Sequence, residues 1–169
     1  MNNSRKAFSL IELVFVILIT GIIASIALPR FLDVSDSAHV TKLQAFAGTL
    51  NKTVGPMLWS GLQRREPDKQ GRLSISNNFN KIEEGKELEQ IPDEFIDLGD
   101  PKIISLASCM DSNNTVPPIG DPVGNLTEGK VAGTQKIGLT TYALGCIDSS
   151  LDSAPRFYLY DENKLVIVY

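Results

Sequence analysis

Phe8–Leu28 reads FSLIELVFVILITGIIASIAL, a run in which Glu12 is the only ionisable side chain. As a helix these 21 residues rise about 32 Å, enough to cross a bilayer core of roughly 30 Å. Met1–Ala7 before them is polar and carries Arg5 and Lys6, whereas Arg30 is the only cation close by on the far side. That asymmetry predicts a cytoplasmic N-terminus and a single span, with everything beyond Pro29 outside the cytoplasm. A secretory signal peptide is one alternative, with Ser25-Ile26-Ala27 as its cleavage site, but its apolar stretch is normally shorter and uncharged. A plain membrane anchor is another, and it leaves Glu12 without a purpose. A carboxylate inside a bilayer costs about 2.5–3.5 kcal/mol and marks a function or a partner.

The string Ala7-Phe8-Ser9-Leu10-Ile11-Glu12, with its short basic leader, resembles the processing site of type IV prepilins and the related secretion pseudopilins. The resemblance implies cleavage between Ala7 and Phe8 by a membrane prepilin peptidase, and methylation of the new Phe8 amine. This chain has Ala7 where the family usually has glycine. The resemblance also implies that Glu12 guides assembly by pairing with the Phe8 amine of a neighbouring subunit. Such a pair neutralises two charges that are each expensive to bury alone. Gly21 and Pro29 match the family's pattern of a helix breaker within and at the close of the apolar segment. Both lower helix propensity and are expected to let the segment bend or melt on leaving the membrane.

From Phe31 to about Gly61 the pattern stays helical but turns amphipathic. Val40, Leu43, Phe46, Ala47, Leu50, Val54, Met57 and Leu58 recur at three- and four-residue spacing and predict a buried stripe. Gly55-Pro56 is expected to kink or end this helix. Trp59 reads as packing, and His39, the only histidine, reads as a solvated helix position. Beyond it, Arg64, Arg65, Lys69 and Arg72 form a weak basic patch, followed by an acidic run from Glu83 to Asp100. Both read as solvated faces, with a nucleic-acid contact as the minor alternative for the basic one. The net charge of −4 argues against a basic binding surface over the whole chain.

Cys109 and Cys146 are the only thiols. Outside the cytoplasm they read as one disulfide, with a free thiol pair as the alternative. Lys136–Ile147 has β-rich composition, and Arg156–Tyr160 with Lys164–Tyr169 flank Asp161-Glu162-Asn163 as a terminal hairpin. Phe157, Leu159, Leu165, Ile167 and Tyr169 alternate, which predicts one buried face. The fold expected is α+β and type IV pilin-like, a long N-terminal helix packed against a small antiparallel sheet. Its parts are a leader at 1–7, a transmembrane and polymerisation helix at 8–29, an amphipathic spine at 30–62 and a globular head at 63–169.

Two short patterns lie in the head. Gly124–Val131 (GNLTEGKV) falls one residue short of a phosphate-binding loop, since Val131 stands where a hydroxyl is needed, and it reads as chance. Asp111-Ser112-Asn113-Asn114-Thr115 fits an N-glycosylation acceptor at Asn113, with an acid two residues ahead as bacterial systems use. Asp121, Glu128, Asp148 and Asp152 offer oxygen ligands without any fixed spacing, so neither a metal nor another cofactor is expected. No nucleophile–base pair or G-x-S-x-G element points to an enzyme.

The reading is a structural subunit of a type IV pilus or pilus-like filament. Its alternatives within the family are a type II secretion pseudopilin and a DNA-uptake minor pilin. An alternative of another class is a membrane-anchored binding module outside the cytoplasm. The partners implied by the resemblance are other pilins, the prepilin peptidase and methyltransferase, an inner-membrane assembly platform, and the bilayer before assembly.

Overall fold

Helical geometry begins at Leu10 and holds through a 40-residue helix, α1 (Leu10–Thr49). The structure, a computed structural model, describes residues 9–65, 75 and 81–169. The leader, the cleavage positions Ala7 and Phe8, and the basic residues Lys69 and Arg72 lie outside them. Two compact units divide the described chain, the first ending at Ser37 and the second spanning Ala38–Tyr169.

The first unit is helix alone. Pro29 sits inside α1 and does not close it, contrary to expectation. A proline removes one backbone donor, and the ladder on either side is long enough to carry that loss. Thr20 donates its hydroxyl to the Val16 carbonyl at 2.6 Å, and Ser25 to the Ile22 carbonyl at 2.7 Å. These two hydroxyls thus need no water, which suits an apolar surrounding.

In the second unit α1 runs into a π turn (Leu50–Val54) and then α2 (Gly55–Arg65). Gly55-Pro56 therefore opens a helix instead of ending one. Gly55 donates its amide five residues back to Leu50, which is where the ladder shifts register. Leu43, Phe46, Ala47, Leu50, Val54, Leu58 and Leu62 are buried along one stripe. Met57, expected in that stripe, is exposed, because the π turn rotates the following residues.

The sheet is five-stranded and antiparallel throughout, in the order β2-β4-β5-β6-β7. Its strands are β2 (Phe95–Ile96), β4 (Lys130–Thr134), β5 (Tyr142–Ile147), β6 (Arg156–Asp161) and β7 (Val166–Ile167). A separate antiparallel pair joins β1 (Lys81–Glu83) to β3 (Ile103–Ser105). Side chains alternate across a strand, and here both faces of the central strands are buried. Leu144, Cys146, Phe157 and Leu159 pack with the helical stripe. Ala143, Ile147, Tyr158 and Tyr160 face the other way, onto Val123, Leu126 and Ile167 around a 3₁₀ helix (Gly124–Gly129).

The terminal hairpin is present, but its single-face pattern is not. Ile167 pairs with Tyr160 and packs on the outer face, while Leu165 is exposed at φ +55° in the connecting turn. Cys109 and Cys146 form a disulfide, with their Cα atoms 4.6 Å apart. It is flanked by backbone bonds from Met110 to Cys146 and from Asp148 back to Met110.

Candidate functional site

From Leu10 to Val34 the large apolar side chains of α1 are exposed, among them Leu10, Ile11, Phe15, Ile22, Ile26 and Phe31. An unbroken apolar surface of this extent on a monomer marks contact with lipid or with another chain. This is also the one helix, among the described residues, that is long and apolar enough to cross a membrane. Glu12 lies in its first turn, exposed, with its amide bonded to the Ser9 carbonyl at 3.0 Å. Carboxylates are favoured near a helix N-terminus by the macrodipole, so Glu12 sits where the helix itself partly offsets its charge. A Cβ built on Gly21 would meet no atom within 4 Å. Nothing inside this chain requires glycine there.

The second unit places the remaining candidates apart from one another. Asn113 is exposed in the loop that follows the disulfide. Lys130, the lysine of the phosphate-loop lookalike, forms an ion pair with Glu162 at 2.5 Å beside a groove of about 480 Å³. Asp148 is buried and accepts from the Ile75 amide at 2.8 Å, a structural task. Among the described residues no group of three or more His, Cys, Asp or Glu is placed to hold a metal. Trp59 donates its indole N–H to the Ser150 carbonyl at 2.8 Å, in keeping with packing.

His39 holds the exposed helix position expected of it, and it also reaches a buried acid. Its Nδ1 lies 2.7 Å from Oε1 of Glu94, and Lys42 Nζ lies 2.9 Å from the other carboxylate oxygen. Glu94 is only 2% exposed. Burial pushes its pKa up, but the hydrogen bonds from Lys42 and His39 outweigh that and hold it below the ordinary carboxylate value of 4.5. Sequence reading missed this cluster because Glu94 stands in an acidic run that looks solvated throughout. The i, i+3 spacing of His39 and Lys42 was the available signal, since it puts both on one helix face.

Residues 2–28 match the family described as the prokaryotic N-terminal methylation motif. The chain therefore carries that motif, and Glu12, Gly21 and the exposed apolar surface through Leu28 fall inside it. Over 45 residues the chain is 47% identical to the type IV narrow pilus major component PilA5 of Thermus thermophilus. That match covers 27% of this chain and 39% of the relative's length. No solved structure matches the chain at a comparable significance.

Proposed function

We propose that this protein is a structural subunit of a type IV pilus or pilus-like filament, without catalytic activity of its own. It is held first as a single-pass inner-membrane protein with its N-terminus in the cytoplasm. A prepilin peptidase cuts before Phe8 and the new amine is methylated, leaving a mature chain of 162 residues from the 169. An inner-membrane platform then moves it into a polymer with other pilins.

The observation that carries this reading is Glu12, a lone carboxylate in the first turn of a helix whose residues 10–28 are otherwise uncharged and all exposed. Among the described residues nothing pairs with this carboxylate, and the amine of a cleaved N-terminus on the next subunit would supply its counter-charge. A head-to-tail contact whose rotation does not close yields a helical polymer. The similarity to a pilus major component supports the same reading.

Glu12→Ala tests it. Removing the buried-charge penalty should leave membrane insertion intact or improved. Filament formation, read by shearing and electron microscopy of cells, should fall to background. Filaments at wild-type yield would overturn the role of Glu12. An N-terminus other than methylated Phe8 on the native protein would overturn the processing step.

A further inference from the structure

We propose that Asn113 is an N-glycosylation site, modified by an oligosaccharyltransferase that requires an acid two residues ahead. The argument begins with a comparison inside the chain. Among the described residues three asparagines satisfy N-x-[ST], namely Asn51, Asn113 and Asn125. Only Asn113 has an acid at the second position before it, Asp111, where the others have Thr49 and Val123.

The structure separates the three more sharply than the pattern does. The Asn51 amide is occupied on both sides, donating to the Phe157 carbonyl and accepting from the Phe157 amide, each at 2.7 Å. Asn125 lies within the 3₁₀ helix, and the next residue, Leu126, is buried and accepts the Tyr158 hydroxyl at 2.5 Å. Drawing 125–127 into an enzyme's cleft means pulling Leu126 out of the core. Asn113 and Thr115 are both exposed, and neither side chain is hydrogen-bonded to the described residues.

The loop also presents Asn113 outward. The Asp111 carboxylate accepts the Asn113 amide at 3.0 Å, a local turn that lifts the backbone at this point. Arg156 Nη2 donates to the carbonyls of Ser112 at 3.3 Å and Asn114 at 2.6 Å, on either side of Asn113. Both flanking residues are thereby drawn toward the sheet, and the residue between them faces solvent. The modification needs this unit to be exported, and the Cys109–Cys146 disulfide argues for that independently of filament assembly.

In the transfer, Nδ2 of Asn113 attacks the anomeric carbon of a lipid-diphosphate-linked oligosaccharide. The N–C bond forms as the C–O bond to phosphate breaks, the amide proton passes to a base of the enzyme, and the lipid diphosphate leaves. The donor's sugars are not specified by the acceptor.

The test uses the full chain purified from its own cells. Trypsin releases residues 103–130 as one peptide, which holds Asn113 and Asn125 together, and an undisturbed disulfide links it to 137–156. The expected result is glycan mass on Asn113 and none on Asn125. Asn113→Gln should abolish it. Asp111→Asn keeps the hydrogen-bond acceptor of the turn and removes only the charge, and it too should abolish the modification. An unmodified Asn113 with the disulfide intact overturns the proposal, as does full occupancy in Asp111→Asn. Free thiols in the same digest would instead place the unit in a reducing compartment, which would overturn both this proposal and the orientation in the reading above. Loss of filaments in Glu12→Ala leaves it untouched.

Discussion

Asn51 does the work of a strand residue from within a helix. The Phe157 amide and carbonyl point away from β5, toward the helices, where β7 does not reach. The Asn51 side chain meets both, and Leu159 two residues on is met by Val168 and Tyr169. An open strand edge is thereby closed rung by rung. Asn51→Ala would strand two part-buried backbone groups, at a cost of about 3 kcal/mol. Denaturant unfolding of the full chain in micelles should show that loss, and faster amide exchange at Phe157 should localise it. Glu94 gives a different prediction, in pH. Its pKa is lowered in the folded state, so its stabilising contribution is complete above the ordinary value of 4.5 and is lost as pH falls through the folded-state value. Asp93 is lowered by Lys102, and Glu83 by Lys86 and Lys81, so they share this acid limb. Glu94→Gln should therefore weaken the protein at neutral pH and narrow the stability gap between neutral pH and about pH 3. An unchanged gap would mean that the His39 and Lys42 contacts do not distinguish the ionised carboxylate.

At the scale of elements, the β5–β6 pair depends on one small residue. Gly145 lies opposite Tyr158, whose ring covers it so closely that a built Cβ would come within 2.2 Å of ring atoms. Tyr158 is itself fixed by its bond to Leu126, and burial pushes its phenol pKa well up. Gly145→Ala should cost about 3 kcal/mol by overpacking, and Tyr158→Ala in the same chain should recover part of that loss. A double-mutant cycle with no coupling would contradict this packing. The same pair shows why part of the fold was legible in advance. The β-rich composition of Lys136–Ile147 and the alternation that starts at Phe157 and Leu159 announced strands, since both are local properties of the chain. Burial on both faces was not legible, because the cover over Tyr158 and Tyr160 comes from Leu126 and Val123, residues in a loop-like stretch about 30 positions away. The N-terminal site was readable for the opposite reason: Glu12 is conspicuous without any tertiary contact. The His39–Lys42–Glu94 cluster joins residues more than fifty positions apart, and no local pattern carries such a meeting.

For the whole molecule, the two units have opposite requirements. Ala38–Tyr169 buries its own apolar stripe and is closed by a disulfide spanning 37 positions, whose reduction should cost about 4 kcal/mol on the chain-entropy model. The helix before it has no buried residue among the described ones, and under the proposed function lipid and then neighbouring subunits cover it in turn. That exchange asks the segment to tolerate two surroundings, and it carries two residues that weaken a helix. Pro29 in a helix interior is about 3 kcal/mol less favourable than alanine, and Gly21 about 1 kcal/mol. Neither has a packing reason visible in this chain, since α1 continues through Pro29 and a Cβ at Gly21 meets open space. If local melting around them eases departure from the bilayer, the double variant Gly21→Ala, Pro29→Ala should hold the protein in the membrane. Amide exchange across 17–33 should slow, filament yield should fall several-fold, and the unfolding midpoint of the unit beyond Ala38 should not move. Wild-type filament yield from the stiffened helix would remove melting from the assembly step, and Gly21 would then be explained by close approach of a neighbouring helix, which a single Gly21→Leu variant would block.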